Sequence, residues 1–302
     1  MEMISLIYSI IWYYALYFVI IKLYNFFYMI YKHFFRKGYN LKERYGSKSW
    51  VLVTGATDGI GKGFCIEFAK LGFNIILVSR ALEKLNKTAD ELRNSYNVNT
   101  HIVQFDFSEK MEESDYISSF GDLSKKYDIS VIVNNVGYAE IVSYRTCKGK
   151  YIQDMVNVNV VPQAAISNIF VNSLIQRSKR TNQKSAIINL SSFLSNLQVE
   201  KLFLYNAGKT FNHLHSKLLN HELKSYNIDC LSVKPLWVAT PLTRKKADNL
   251  IVITSEACCK AVLKHLGHDS ETTGDIRHEI QEKIYLSIPN FIRNRFGKNS
   301  EV

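Results

Sequence analysis

Cysteine is scarce in this chain and nowhere paired. The 302 residues hold 5 cysteines, Cys65, Cys147, Cys230, Cys258 and Cys259, with no Cys-x-x-Cys spacing. An odd, scattered set on a long chain excludes a disulfide scaffold and points to a reducing, cytosolic environment. Metal-ligand spacing is missing too. Of the 8 histidines, His213 and His215 stand two apart and fall on different helix faces, so no metal is expected. Repeats and low-complexity tracts are absent. A nucleic-acid binder would interleave aromatics with a basic face on a recognisable module, and here the aromatics cluster elsewhere, so nucleic acid is not an expected partner. The net charge of +11 therefore suggests other anionic company: phosphates, CoA-like groups or an acidic membrane surface.

Charge itself is missing from Ile4 to Ile21, and the apolar run continues past Lys22 to about Tyr31. That length suits one transmembrane helix, which needs roughly 20 residues. Two short re-entrant pieces are the alternative. Trp12, Tyr13, Tyr14, Tyr17, Tyr24 and Tyr28 suit the headgroup zone. The segment does not read as a cleaved signal peptide: Glu2 replaces a basic start and no Ala-x-Ala-like site follows. Lys32, Arg36, Lys37, Lys42, Arg44 and Lys48 come next, against the single acid Glu43. The positive-inside rule then places the rest of the chain in the cytosol. The expected organisation is a membrane anchor over 1–31, a basic linker over 32–48 and one domain over 49–302.

From Ser49 onward, β-rich runs alternate with helical patterns. Strands are expected near Trp50–Val53, Asn74–Val78, His101–Phe105, Ser130–Val133, Ala186–Leu190 and Asp229–Val233. Helices fall near Gly61–Leu71, Leu82–Ser95, Glu113–Tyr127, Lys150–Arg177 and Phe203–Ser225. The alternation predicts an α/β fold, a doubly wound parallel sheet of Rossmann type. Ile276, Ile280, Ile284 and Ile288 recur at helical spacing, which predicts a helix covering the core, with a second membrane contact as the alternative.

Between the first strand and its helix runs Thr54-Gly55-Ala56-Thr57-Asp58-Gly59-Ile60-Gly61. A strand turning through glycines into a helix brings free N–H groups and a helix N-terminus to a pyrophosphate. Taken alone, such a triplet is also an ordinary tight turn. In this kind of fold the second strand's end reads the adenosine ribose. It ends Val78-Ser79-Arg80, with no acid to repel a 2′-phosphate and an arginine fork to bind one, so NADP(H) is expected over NAD(H). Asp106, after the third strand, is a candidate for the adenine amino group. Asn134-Asn135-Val136-Gly137 follows the fourth strand at the same edge.

Tyr205 and Lys209 stand four apart on one helix face. An ammonium beside a tyrosine is expected to lower its pKa from about 10 and suit it to proton transfer. The spacing recurs at Tyr28/Lys32 and Tyr144/Lys148. Only Tyr205 has a hydroxyl thirteen residues earlier, Ser192, at the end of a strand; the other two have Ala15 and Val131 there.

These ordered motifs resemble the short-chain dehydrogenase/reductase family, over about Val51 to Val238. The family's Thr-Gly-x-x-x-Gly-x-Gly falls on Thr54, Gly55, Gly59 and Gly61, and its Asn-Asn-x-Gly on Asn134, Asn135 and Gly137. The resemblance implies catalytic roles for Ser192, Tyr205, Lys209 and Asn159, with Asn157 the weaker candidate. It also implies cofactor contacts from Thr57, Asp58, Ile60, Val238 and Thr240. Leu236 departs from the usual Pro-Gly turn. Together with the anchor, the motifs resemble a membrane-bound subgroup, the 17β-hydroxysteroid dehydrogenases and very-long-chain 3-oxoacyl-CoA reductases of the endoplasmic reticulum. This implies NADPH-dependent reduction of a lipid ketone, on an acyl-CoA or a steroid. The alternatives are another lipid such as a retinoid, or a non-catalytic scaffold; a homodimer stays open. Leu250-Ile251-Val252-Ile253, after Arg244-Lys245-Lys246, reads either as part of a lid over an apolar tunnel or as an ordinary packing segment.

Overall fold

A computed structural model describes residues 2–109, 112–197, 199–248 and 250–289. They fall into two compact units, 1–37 and 38–302. The first unit is helix α1, Glu2–Ile30, which runs on through a wider π-type turn, Tyr31–Phe35. Its apolar side chains are spread evenly round the axis and carry no acid beyond Glu2. At 1.5 Å per residue α1 is roughly 43 Å long, more than the roughly 30 Å of bilayer hydrocarbon. By length and composition it is able to cross a membrane.

The second unit opens with a short helix, α2 (Leu41–Tyr45), capped by the Asn40 side chain. Strands β1 (Trp50–Thr54), β2 (Asn74–Ser79), β3 (Thr100–Gln104), β4 (Ile129–Asn134), β5 (Ser185–Leu190), β6 (Ile228–Val233) and β7 (Glu271–Thr272) follow. All pair in parallel, in the order β3-β2-β1-β4-β5-β6-β7. The helices between them are α3 (Gly59–Lys70), α4 (Leu82–Tyr96), α5 (Glu113–Phe120), α6 (Leu123–Lys126), α7 (Gly149–Asn159), α8 (Val161–Thr181), α9 (Phe203–Leu223), α10 (Ser255–His265) and α11 (Ile276–Ser287). Strand side chains alternate between two cores. Val51, Val53, Ile75 and Leu77 meet α3, α4 and α10 on one face. Leu52, Ile76, Ile132 and Ile187 meet α5 and α8 on the other. The order reverses between β1 and β4, so their carboxyl ends open a crevice.

Several expectations need correction. The helix expected over Glu113–Tyr127 breaks into α5 and α6 at Gly121 and Asp122. The one expected over Lys150–Arg177 breaks at Val160, because Pro162, in the first turn of α8, has no N–H to continue the hydrogen-bond ladder of α7. Strand β7 and helix α10 were not expected. The isoleucine stripe of α11 does not cover the core. Ile280 and Ile284 are 41% and 60% exposed, and His278 and Glu279 are the buried residues. The reason is the surface beneath. Glu282 lies 3.5 Å from Lys234, which follows β6, and His278 meets the loop beyond it. Ile288 is half-buried.

Candidate active site

The glycine turn is built for close approach. Gly55 and Gly59 have φ of +64° and +51°, a region glycine enters without strain. A Cβ on Gly61 would stand 2.1 Å from the Gly55 carbonyl oxygen and 2.5 Å from Asn135 Nδ2. Asn135 Nδ2 donates to the carbonyls of Thr54 (2.8 Å) and Gly55 (3.3 Å), holding the turn from below. The Thr54 hydroxyl accepts the N–H groups of Asn135 and Val136 at 2.9 and 3.0 Å. Across the crevice, Thr240 Cγ2 lies 3.1 Å from where a Gly59 Cβ would be. Asp58 caps α3, accepting the Gly59 N–H at 2.8 Å. Helix geometry leaves the N–H groups of Ile60 and Gly61 without an intrahelical acceptor. This cradle suits a pyrophosphate.

At the end of β2, Thr57 and Ser79 are hydrogen-bonded at 3.1 Å. Arg80 follows, exposed. Among the described residues only its backbone is engaged: its carbonyl accepts Gln104 Nε2 at 3.1 Å. The fork thus stands ready for an anion beside the crevice. Asp106 Oδ1 is taken by the N–H and hydroxyl of Ser108, at 3.0 and 2.7 Å.

The reacting groups gather where β5 ends. Ser192 Oγ accepts the Leu194 N–H at 3.2 Å and so caps the turn Phe193–Asn196. Tyr205 and Lys209 lie on successive turns of α9, 9% and 5% exposed. Lys209 Nζ is 5.8 Å from the Tyr205 ring centre and donates to the Leu190 carbonyl at 2.9 Å. Ser191 Oγ donates to the Lys209 carbonyl at 2.6 Å, pinning α9 to the strand. Asn159 closes α7. Its Oδ1 accepts the Tyr138 N–H at 3.2 Å and its Nδ2 donates to the Met155 carbonyl at 3.1 Å. Gly137 lies between: a Cβ there would be 2.8 Å from Asn159 Oδ1 and 3.2 Å from Lys209 Nζ. Asn159, Gly137, Lys209, Tyr205 and Ser192 thus form one continuous cluster, which Asn157 does not join. Tyr144, of the competing pair, is 72% exposed.

Burial dominates the electrostatics. It raises the Tyr205 pKa, and the Ser192 hydroxyl pulls in the opposite direction. It lowers the Lys209 pKa to about 8. The expected lowering of the tyrosine by the lysine is therefore absent from this arrangement: with so little solvent, the cost of an anion outweighs the distant ammonium. A cavity of about 490 Å³ does exist elsewhere, lined by Lys42, Lys48, Asn74 and Asn99. It lies at the amino ends of β1 and β2, away from all these groups, and ligands of open α/β sheets bind at the carboxyl ends.

Comparison with known proteins shows the family and the fold. A family model described as short chain dehydrogenase matches residues 49–251. The chain belongs to the short-chain dehydrogenase family. A human very-long-chain 3-oxoacyl-CoA reductase is 31% identical over 251 residues, covering 82% of this chain and 78% of that protein. Two solved structures share the fold. One is described as a 7β-hydroxysteroid dehydrogenase, with TM-score 0.73 and 24% identity, covering 86% of this chain and 100% of that one. The other is a Sphingobium yanoikuyae short-chain dehydrogenase solved with NADPH, with TM-score 0.64 and 23% identity, covering 72% and 83%. As a short-chain dehydrogenase, the protein is an oxidoreductase acting on CH–OH and C=O groups.

Within this short-chain dehydrogenase, two expected cofactor contacts are turned elsewhere. Asn134 is buried, and its Nδ2 donates to Ser167 Oγ (3.0 Å) and Asn189 Oδ1 (2.9 Å), tying β4 to β5 and α8. Val238 is in the core beside Ile253, and its carbonyl accepts the Thr243 hydroxyl at 2.6 Å. Val252 and Ile253 are buried as well, so that half of the apolar run is a packing segment. Leu236 keeps a negative φ, so the departure from Pro-Gly brings no strain. Its N–H reaches His278 Nδ1 at 3.4 Å, and His278 Nε2 lies 3.1 Å from the Trp237 carbonyl. His278 Nδ1 also lies 3.4 Å from the Thr273 carbonyl, so the ring bridges three backbone groups. His278 thus holds the loop that leads to Thr240. Sequence reasoning missed it, because a lone histidine on a helix carries no signal of its partner.

Proposed function

We propose that the protein is an NADPH-dependent reductase of a lipid ketone, with a long-chain 3-oxoacyl-CoA as substrate, anchored in the endoplasmic reticulum membrane with its second unit in the cytosol. The observation that carries this reading is the Ser192–Tyr205–Lys209–Asn159 cluster beside a pyrophosphate cradle, in a chain 31% identical to a 3-oxoacyl-CoA reductase over most of its length. The residues fit the cofactor. The turn Gly55–Gly61 would hold the pyrophosphate, Arg80 the 2′-phosphate, Asp106 the adenine, and Lys209 and Thr240 the nicotinamide end. When bound, NADPH supplies the hydride for the carbonyl carbon.

The chain's own residues handle the oxygen and the proton. Ser192 donates a hydrogen bond to the carbonyl oxygen as negative charge develops on it. Tyr205 delivers its phenolic proton to that oxygen. Lys209, whose pKa of about 8 keeps it largely protonated at neutral pH, offsets part of the burial cost of the tyrosinate left behind, beside the hydrogen bond from Ser192. Asn159 fixes the chain at Tyr138 and so the floor beneath Lys209. α1 and the basic residues after it support the membrane placement.

The test is NADPH oxidation by purified protein in detergent, with a long-chain 3-oxoacyl-CoA and, separately, a 17-ketosteroid. Turnover of the acyl-CoA, lost in Tyr205→Phe, is the expected result. Turnover of the steroid alone would move the protein to steroid metabolism. Silence on both, with NADPH bound, would favour a retinoid-type substrate or a scaffold.

A further inference from the structure

Helix α11 turns its apolar stripe outward. Ile280 and Ile284 are exposed, although the buried side holds His278, Glu279 and the Glu282–Lys234 pair. An amphipathic helix normally does the reverse. The stripe does not stand alone. Gln281 Nε2 donates to the Ile251 carbonyl at 3.3 Å, joining α11 to the loop in which Leu242, Leu250 and Ile251 are also exposed. The result is one apolar face drawn from two segments.

The rim of this face is cationic. Arg244, Lys245 and Lys246 are exposed on the same loop, and Lys283 is exposed on α11. Aliphatic residues interleaved with Lys and Arg are the composition of segments that lie in a membrane interface. A second copy of this chain would bring the same cations to the same place and repel. An anionic lipid surface complements them.

The face also adjoins the reacting groups. Tyr285 of α11 packs edge-on against Phe193, ring centres 5.3 Å apart, and Phe193 follows Ser192. His278 ties the same helix to the loop running to Thr240.

We propose that the α11 stripe and the 242–251 loop form a membrane-docking face that seats on an anionic phospholipid surface, placing the substrate entrance beside Ser192 at headgroup level. The part concerning the entrance rests on the reductase reading; the docking does not. It is a contact separate from α1.

The full chain, reconstituted in nanodiscs, tests this. Cys147 is the one cysteine not buried, so Cys147→Ser gives a background for single labels. An environment-sensitive fluorophore is placed at Ile284→Cys, at Ile10→Cys in α1, and at the exposed Lys87→Cys of α4 as a control. In discs containing phosphatidylserine, emission at position 284 should shift to shorter wavelength and be quenched by nitroxide-labelled lipid. Position 87 should show neither. The quenching should weaken in purely zwitterionic discs and in the Arg244→Gln, Lys245→Gln, Lys246→Gln variant; equal quenching in both lipids would remove the basic rim from the proposal. No quenching at 284 above the control would overturn it. So would a shift without quenching, which gives the face to a second copy or to residues 290–302. The label at position 10 reports the anchor independently, and none of these readouts depends on turnover.

Discussion

The two edges of the sheet are built on opposite terms. At the amino edge, charges are matched. Asp229 accepts Arg44 Nε at 2.7 Å, the Tyr45 hydroxyl at 2.8 Å and Lys184 at 3.3 Å. Arg177 spans Asp128 at 3.0 and 3.1 Å and donates to the Tyr45 carbonyl at 2.7 Å. At the carboxyl edge, Lys209 is buried with no carboxylate beside it among the described residues, held by one carbonyl. Asn206 Oδ1 and Asn212 Oδ1 are buried without a hydrogen bond among the described residues. One edge is arranged for stability and the other tolerates cost, as functional sites do. Part of the segment expected as a linker belongs to the stable edge: Leu41 and Tyr45 are core residues, and Arg44 is paired inside the unit.

The sharpest break in that comparison is Tyr205→Phe. It should lower kcat by about 10³-fold, the scale of a lost general acid, and leave the melting temperature nearly unchanged. A variant that kept its turnover would remove Tyr205 from the chemistry. The mirror experiment is Asp229→Asn. Breaking this largely buried ion-pair cluster should cost about 3 kcal/mol in urea unfolding with kcat/KM unaltered. A matching loss of kcat/KM would show that the edges are not independent.

How far the sequence carried these assignments depends on the range of the forces involved. Short periods and ordered glycine motifs sufficed for the strands from β1 to β6 and for the positions of Ser192, Tyr205 and Lys209. β7 is two residues long, too short for any pattern. The inversion of α11 depends on Lys234 and Leu236, some forty residues upstream, and no helical period reports that. Val238 and Asn134 sit in motifs, yet the Val238 side chain is in the core and the Asn134 amide is claimed by Ser167 and Asn189. The direction of the Tyr205 pKa is set by burial, which exists only once α9 has docked on β5.

Two smaller effects probe the carboxyl edge. His278→Leu would strand the Leu236 N–H, a cost of about 1–3 kcal/mol if buried, while the Trp237 carbonyl keeps the Ile253 N–H. The expected signature is a raised KM with kcat held nearer to wild type, and partial rescue in His278→Gln. Equal loss in both constants without rescue would make His278 merely structural. Arg80→Gln should weaken NADPH about 30-fold, as expected for one charge-assisted contact, with NADH binding unchanged in a fluorescence titration. Equal weakening of both would place Arg80 away from the 2′-phosphate.

The smallest effect runs against intuition. The buried Lys209 has its pKa lowered from 10.5 to about 8. Below pH 8 the native state therefore holds an ammonium that water would have solvated better. Between pH 8 and 10.5 the unfolded chain binds more protons than the native one, so this residue's contribution to stability rises with pH. Lys209→Met removes the charge and keeps the apolar stem, at the loss of the bond to the Leu190 carbonyl. In cofactor-free protein the variant should be inactive and yet more stable at pH 7, by about 1–2 kcal/mol after that loss, since each pKa unit is worth about 1.4 kcal/mol. The advantage should shrink through the pH 8 to 10.5 window. Unfolding curves at pH 7 and pH 10 decide it. If the variant were instead less stable at pH 7, the ammonium would be stabilising the fold, and Lys209 would belong with Arg44 and Arg177 as a paired structural cation.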